Sequence, residues 1–543
     1  MKESRYLTRK SRVCTLLFLL GTLFFTSCND WLEVYPENEQ VTPRFWQSKE
    51  DVEAVLTAAY VEMRAQVAGC IVDWGELRGG SIMSRSNANR QKMQQFKLTS
   101  DNKLCSWAGM YKILNYVNSV IYYAPDVQGK DETYYPAYMN AHLVEARFLR
   151  ALTYFYLVRN FKEVPLVVQP YVDDAQPFEK AKNTEEEILA QIRADIEWAL
   201  QSGAAKEFYD DTEWTGATKG RATKWSLYAL LADVTLWSGD YDACIEACDH
   251  LLNARTESQS GYFPIFMSDP SQWFNIFYLG NTNEGIFELN WQEQTFGQGE
   301  DKGSPSVIFT VGSSAAYQFS ESMSDRLEEE TASAIEAGVA SVRAVWGTCA
   351  IITEGESQHC VWKYNGLPDE KTVSQTRLYK DANWIVYRMA DVLLMKAEAL
   401  VWKGGYENGV EALALMHQVR TRAGLPGYAA VGAGGEAAGG VIEVNVDDQL
   451  EMLTAILHER DMELAAEGKR WYDLMRFGRS QNYKYKSEFI SLLKECNESA
   501  DETWLETVLG DPYGWYLPIM QSDIESNPLL EQNPYYASAS TSK

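Results

Sequence analysis

Two segments of the chain match each other at a fixed offset of 165 residues, and this constrains the fold more than any other feature. Ala232, Trp237, Gly239, Tyr241 and Ala247 align with Ala397, Trp402, Gly404, Tyr406 and Ala412. Each set reads as a helix, a tight glycine turn and a second helix. The small Ala lets two helices approach closely, Gly supplies the turn backbone and Tyr packs over it. Other stretches carry the same helical period. Phe148, Ala151, Leu152 and Phe155 fall at i, i+3, i+4 and i+7, and Thr184 to Glu187 forms a capping box. That box opens a helix with Ile188, Ile192, Ile196, Ala199 and Leu200 on one face.

These paired helices resemble tetratricopeptide hairpins, but no regular array of about 34 residues is present. The fold expected is mainly α: helical hairpins as scaffold, long irregular loop insertions and a few short strands. The insertions are 70–105 with Gly79-Gly80, 256–345 broken by Pro264, Pro270 and Pro305, and 424–440 with seven glycines. Short strands are expected at 286–290, 350–353 and 360–364.

The N-terminus supplies an address. Lys2, Arg5, Arg9, Lys10 and Arg12 precede an apolar run at 13–25, the pattern of a secretory signal. That run is shorter than the roughly 20 residues a bilayer span needs, and no later stretch reads as long enough. Phe25-Thr26-Ser27-Cys28 resembles the lipobox of bacterial lipoproteins, with the cut after Ser27 and a lipid on Cys28. Three regions follow: signal peptide 1–27, an N-terminal hairpin region 28–255, and a C-terminal region 256–543 with the ligand-loop insertion and final hairpins. The whole chain carries 49 Lys and Arg against 76 Asp and Glu, net −27, and removing the leader brings it to about −31. Nucleic-acid binding is excluded, because phosphates demand clustered cations.

Past the leader, Cys349 and Cys360 flank a turn-like stretch between two strand-like runs, which makes them candidates for a cross-hairpin disulfide and leaves their pairing open. Cys244 and Cys248 share a helical face and read as small buried hydrophobes, with no His or Cys partner at metal-ligand spacing. His458-Glu459 begins like a zincin motif and lacks the second His. No metal, cofactor or nucleophile motif is found. A glycoside hydrolase needs only two carboxylates across a cleft, and the chain has 76 acids to supply them.

Four segments carry a family likeness. They are Cys28-Asn29-Asp30-Trp31-Leu32 with Phe45-Trp46; Glu145-Ala146-Arg147-Phe148-Leu149-Arg150-Ala151 on to Val164-Pro165-Leu166; Glu459-Arg460-Asp461-Met462-Glu463-Leu464 with Glu467 to Gly478; and Trp515-Tyr516-Leu517-Pro518 with Asn527-Pro528 and Asn533-Pro534. In this order they resemble the SusD/RagB family of outer-membrane lipoproteins, with Tyr535 where Gly is usual. The resemblance implies a noncatalytic, lipid-anchored protein on the cell surface. It would bind oligosaccharide and deliver it to a SusC-like TonB-dependent transporter; some relatives serve peptide uptake instead. A glycoside hydrolase is the remaining alternative.

Glu459, Glu463 and Glu467 stack at i, i+4 and i+8, which is unfavourable unless cations intervene. A structural ion network is expected, with Arg460, Arg470 and Arg476 as its cations. Arg147 and Arg150 read the same way, and Tyr154-Phe155-Tyr156 as helix packing. Aromatic residues make up 13% of the chain, and a sugar ring wants an aromatic platform with polar groups at its edge. Ligand contacts are therefore expected from the insertions: Trp74 with Arg78, Phe96 with Asn102, and Trp291, Phe296 and Tyr317, with Trp291 foremost.

Overall fold

The computed structural model describes residues 45–172, 177, 179–209, 217–292, 303–312, 315–353, 356–367, 376–431 and 441–540. The signal segment, Cys28 and Phe296 lie outside them. Ser48–Lys543 form one compact unit.

The fold is mainly α, with helices that pack in succession. α1 (Lys49–Gln66) runs through a π turn, Val67–Ile71, into α2 (Val72–Glu76). The span Lys49–Glu76 is apolar and long enough to cross a bilayer, against the expectation that no later stretch would be. Its apolar residues Val52, Leu56, Ala59 and Met63 are instead buried against protein. α3 (Ala108–Gln128) packs on α1, and α4 (Pro136–Phe161) on α3. From Ala146 to Phe161 only Arg147 escapes full burial, which makes α4 the central helix of the unit. Its Tyr154, Phe155 and Tyr156 are core. Arg147 and Arg150 both close on Asp195, at 2.7 and 2.6 Å, and so fasten α4 to α5 (Glu185–Gln201). The capping box opening α5 is formed, with Thr184 and Glu187 bonded reciprocally.

The two matching hairpins are α6 (Lys224–Ser238) with α7 (Tyr241–Leu252), and α8 (Met389–Lys403) with α9 (Tyr406–Arg422). Gly239 takes the left-handed conformation (φ +78°) that ends α6, and Asp240 N–H turns back to Thr235 O. α7 packs on α8, so hairpins far apart in sequence are neighbours in space. Tyr241 of the first lies flat on Trp402 of the second, 6.0 Å between centroids and 9° between planes. Ala232, Ala397 and Ala412 have no exposed surface. α10 (Gln449–Glu463) and α11 (Arg470–Tyr483) follow, with α10 against α8 and α9.

The insertions leave this helical stack between α2 and α3, between α7 and α8 and between α9 and α10. They contribute short two-stranded ladders. β1 (Ile82–Met83) pairs with β3 (Gln318–Phe319), joining the first insertion to the second. β2 (Gly285–Leu289) pairs antiparallel with β6 (Trp384–Arg388), and β4 (Thr348–Thr353) with β5 (Glu356–Val361). β7 (Tyr428–Ala430) and β8 (Ile442–Val444) are parallel. The run 362–364, expected as strand, is a turn that follows β5.

The β4–β5 register sets Cys349 opposite Cys360. Trp362 N–H bonds Gly347 O at 2.8 Å, and ladder alternation then makes the cysteine pair a hydrogen-bonded one. Side chains stand further apart at such pairs, which does not favour a disulfide, and both sulfurs are thiols here. Cys244 and Cys248 are buried in α7 as expected.

Because Ala397 sits where α8 meets its neighbours, Ala397→Leu should overpack the stack. A loss of roughly 1–3 kcal/mol is expected, read as a Tm lowered by a few degrees in thermal unfolding. An unchanged Tm would mean the helices leave room there.

Candidate functional site

The three stacked glutamates are neutralised inside the protein. Arg343 Nη1 lies 2.7 Å from Glu459; Arg388 Nη1 and Arg422 Nη2 lie 2.8 and 2.7 Å from Glu463; Arg388 Nε and Lys363 Nζ lie 2.9 and 2.7 Å from Glu467. Glu284 bridges Arg388 and Arg422, at 2.9 and 2.7 Å, and Glu330 takes Arg343 Nε at 2.9 Å. The expected network exists, but its cations are not Arg460, Arg470 and Arg476. Arg460 points off the glutamate stripe because neighbouring positions on α10 turn by about 100°, and Arg470 and Arg476 belong to α11 instead. Arg460 bonds Asp391 and Asp473, Arg470 bonds Asp461, and Arg476 bonds Glu398 and Asp473. Burial alone would raise Glu463, yet Arg422, Arg388 and Arg343 outweigh it and hold the carboxyl at about 2. These carboxylates are paired and inaccessible, and cannot serve as a hydrolytic pair.

The predicted ligand aromatics are buried as well. Trp74 has no exposed surface and donates from Nε1 to Leu104 O at 2.7 Å. Arg78 lies 4.4 Å over the Trp471 ring and donates to Trp515 O and Asn160 Oδ1. Burial lowers its pKa to about 10. Phe96, with a left-handed backbone, packs edge-on against the same Trp471 at 5.6 Å. Asn102 caps the turn at Leu104 and donates to Asn89 O. Tyr317 donates to Asp73 Oδ1 at 2.5 Å beneath the Arg90 guanidinium, 4.5 Å from its ring. Trp291 is 3% exposed, under Arg64 at 5.4 Å. The six described candidates are therefore anchors that fix the insertions to the scaffold, not ligand platforms. The structure does bring the two expected insertions together, through Asp73, Arg90, Tyr317 and the β1–β3 ladder.

An open groove of about 410 Å³ lies where α1, the segment 220–221 and the end of β2 meet. Leu56, Val61 and Leu289 give it apolar walls; Glu53, Arg64, Asn290 and Gln292 give it polar ones. Its volume falls in the range of small-molecule sites. Glu145, with no exposed surface, organises one wall: Arg221 grips it through Nε and Nη2 at 2.9 and 2.6 Å, and Tyr60 donates to it at 2.8 Å. Arg64 donates to Asn290 O at 3.1 Å, fixing the strand end. A Cβ on Gly220 would fall 2.5 Å from Asn290 Nδ2, so a larger residue there would displace the Asn290 side chain. The groove residues carry no sequence signal of their own; Glu145, inside the second likeness segment, was visible but without its role.

Comparison with known proteins supplies the decisive observation. A model of the SusD family matches residues 280–536, and a second, described as starch-binding associating with outer membrane, matches 30–236. The chain belongs to the SusD family. SusD-like protein P38 of Formosa agariphila is 27% identical over 493 residues, 85% of this chain and 90% of that protein. Among solved structures, surface glycan-binding protein A from Bacteroides uniformis superposes with a TM-score of 0.66 at 20% identity, covering 90% of this chain and 100% of that one. A laminarin-binding SusD-like protein gives 0.61 at 22%, with the same coverage.

Glu463→Gln would leave Arg388 and Arg422 short of a counter-charge in the interior. A loss of about 3–5 kcal/mol at pH 7 is expected. Glu463 has its folded pKa depressed, so its contribution is full above the unfolded value of 4.5 and fades as pH falls toward about 2. Unfolding titrations of both proteins should converge below pH about 4; a constant gap down to pH 2 would contradict the assignment.

Proposed function

We propose that this protein is a surface-exposed, outer-membrane lipoprotein that binds oligosaccharide and hands it to a SusC-like TonB-dependent transporter, without catalysis. Family membership carries the reading, supported by fold neighbours named for laminarin and surface glycan binding. The groove supplies the chemistry. Val61, exposed at the rim, suits the C–H face of a sugar, while Arg64, Asn290 and Gln292 offer hydrogen bonds at its edge. The N-terminal pattern supports the anchor: Cys28 follows Thr26-Ser27 and would carry the lipid. A chain so acidic disfavours polyanionic glycans except where a local cationic patch exists.

The test is a retention screen of the protein against plant, host and microbial polysaccharides, with eluted glycan checked for cleavage. Intact glycan should be retained, and Gln292→Ala or Arg64→Gln should weaken retention about tenfold while Tm changes little. Shortened products would contradict a noncatalytic role, and undiminished retention in both variants would remove the groove. Trp291→Ala is a poor probe, because deleting a buried Trp costs about 3–5 kcal/mol by itself. For the anchor, Cys28→Ala should release the protein from the outer membrane, measured by fractionation; continued lipid attachment would refute it.

A further inference from the structure

Residues 218–221 divide two cavities. Gly220 and Arg221 line the groove, while Thr218 and Lys219 line a second cavity of about 180 Å³ that shares no residue with it. The smaller space is below drug-sized sites and suits one sugar ring, not a chain.

Its lining pairs aromatic faces with polar edges. Tyr262 is 58% exposed, yet its ring rests on Phe208 at 4.4 Å and 22°, and Trp225 Nε1 holds its carbonyl at 3.1 Å. It is thus a platform supported from behind. Asn281 follows Gly280 in a left-handed turn (φ +51° and +64°), and its N–H bonds Glu288 Oε2 at 2.8 Å. Its side-chain Oδ1 is buried and accepts no hydrogen bond among the described residues, an acceptor that a hydroxyl would suit.

Lys219 is the second anomaly. In a chain with 76 acids for 49 bases, its ammonium makes no ion pair or hydrogen bond among the described residues. Glu288, whose field it feels, is engaged at Oε2 by Asn281 N–H and Asn383 Nδ2, while its Oε1 makes no hydrogen bond among the described residues. Burial lowers Lys219 only to about 8, so it is charged at neutral pH. Among the described residues of the lining the one carboxylate, Glu207, is already occupied by Ser258, Gln259 and Ser260.

We propose that this cavity is an accessory subsite for a single uronic-acid residue, with its carboxylate on Lys219, a hydroxyl on Asn281 Oδ1 and its ring against Tyr262. The local cation admits an acidic sugar that the chain's overall charge would repel. The source of that sugar rests on the glycan-binding reading, but the recognition chemistry does not.

Calorimetry of the full mature chain with methyl β-glucuronide and methyl β-glucoside tests it. The glucuronide should bind about tenfold tighter or more, through a charge-assisted bond. Lys219→Met should abolish that preference. Asn281→Gly, which keeps the left-handed backbone, should weaken both sugars about fivefold, with thermal melts confirming both folds. Equal affinities in the unaltered protein, no binding of the glucuronide, or a preference that survives Lys219→Met would overturn the proposal. If Lys219→Met fails to fold, undiminished binding in Asn281→Gly overturns it instead. Gln292→Ala, in the groove, should leave glucuronide affinity unchanged. Loss of polysaccharide retention with glucuronide binding intact would sink the groove alone, and the reverse pattern the subsite alone.

Discussion

Arg388 and Glu463 meet at 2.8 Å with no exposed surface, and the rest of the architecture is arranged around that contact. Five carboxylates, from Glu284, Glu330, Glu459, Glu463 and Glu467, face five cations, from Arg343, Lys363, Arg388, Arg420 and Arg422. Each charge alone would be prohibitive to bury; together, at ion-pair distance, they tolerate removal from water only in one geometry. The members come from both the helical stack and the second insertion. The cluster therefore selects one docking of insertion on scaffold, whereas greasy contacts would allow several. This explains how a segment dense in acids can look catalytic and yet be structural.

The groove inherits its rigidity from this arrangement. Its α1 wall belongs to the helical stack, and its opposite wall is the end of β2, held by β6 and so by Arg388. Glu145 does locally what Glu463 does centrally: a buried carboxylate fixes Tyr60 and Arg221 so that the wall is formed before any ligand arrives. Such preorganisation removes ordering costs from binding. The insertions are stitched in the same manner, through Asp73, Arg90 and Tyr317.

The hairpins were legible because their determinants are local. A glycine that must turn left-handed, an Ala at a helix crossing and a capping pair all act within a few residues. Their stacking across 165 residues was foreshadowed by the repeat itself. The partners of the glutamates were not legible, since Arg343, Arg388 and Arg422 are brought in by tertiary packing, and nearness in sequence favoured Arg460 instead. The insertions misled for a related reason. Polar, glycine-containing stretches suggested solvent-exposed loops, but Trp74, Phe96 and Trp291 are what fasten them, and a buried anchor has the same composition as an exposed platform. Arg64, Asn290 and Lys219 stand in unremarkable contexts, and only the fold places the first two in the groove and Lys219 in the second cavity.

The central claim is that glycan is held where scaffold and second insertion meet. Hydrogen–deuterium exchange of the full chain, with and without a retained polysaccharide, tests it most directly. Bound glycan should slow exchange in peptides spanning 53–64 and 286–292 and leave the interior of α4 unchanged. Protection confined to other surfaces, with those two peptides unaffected, would contradict the account.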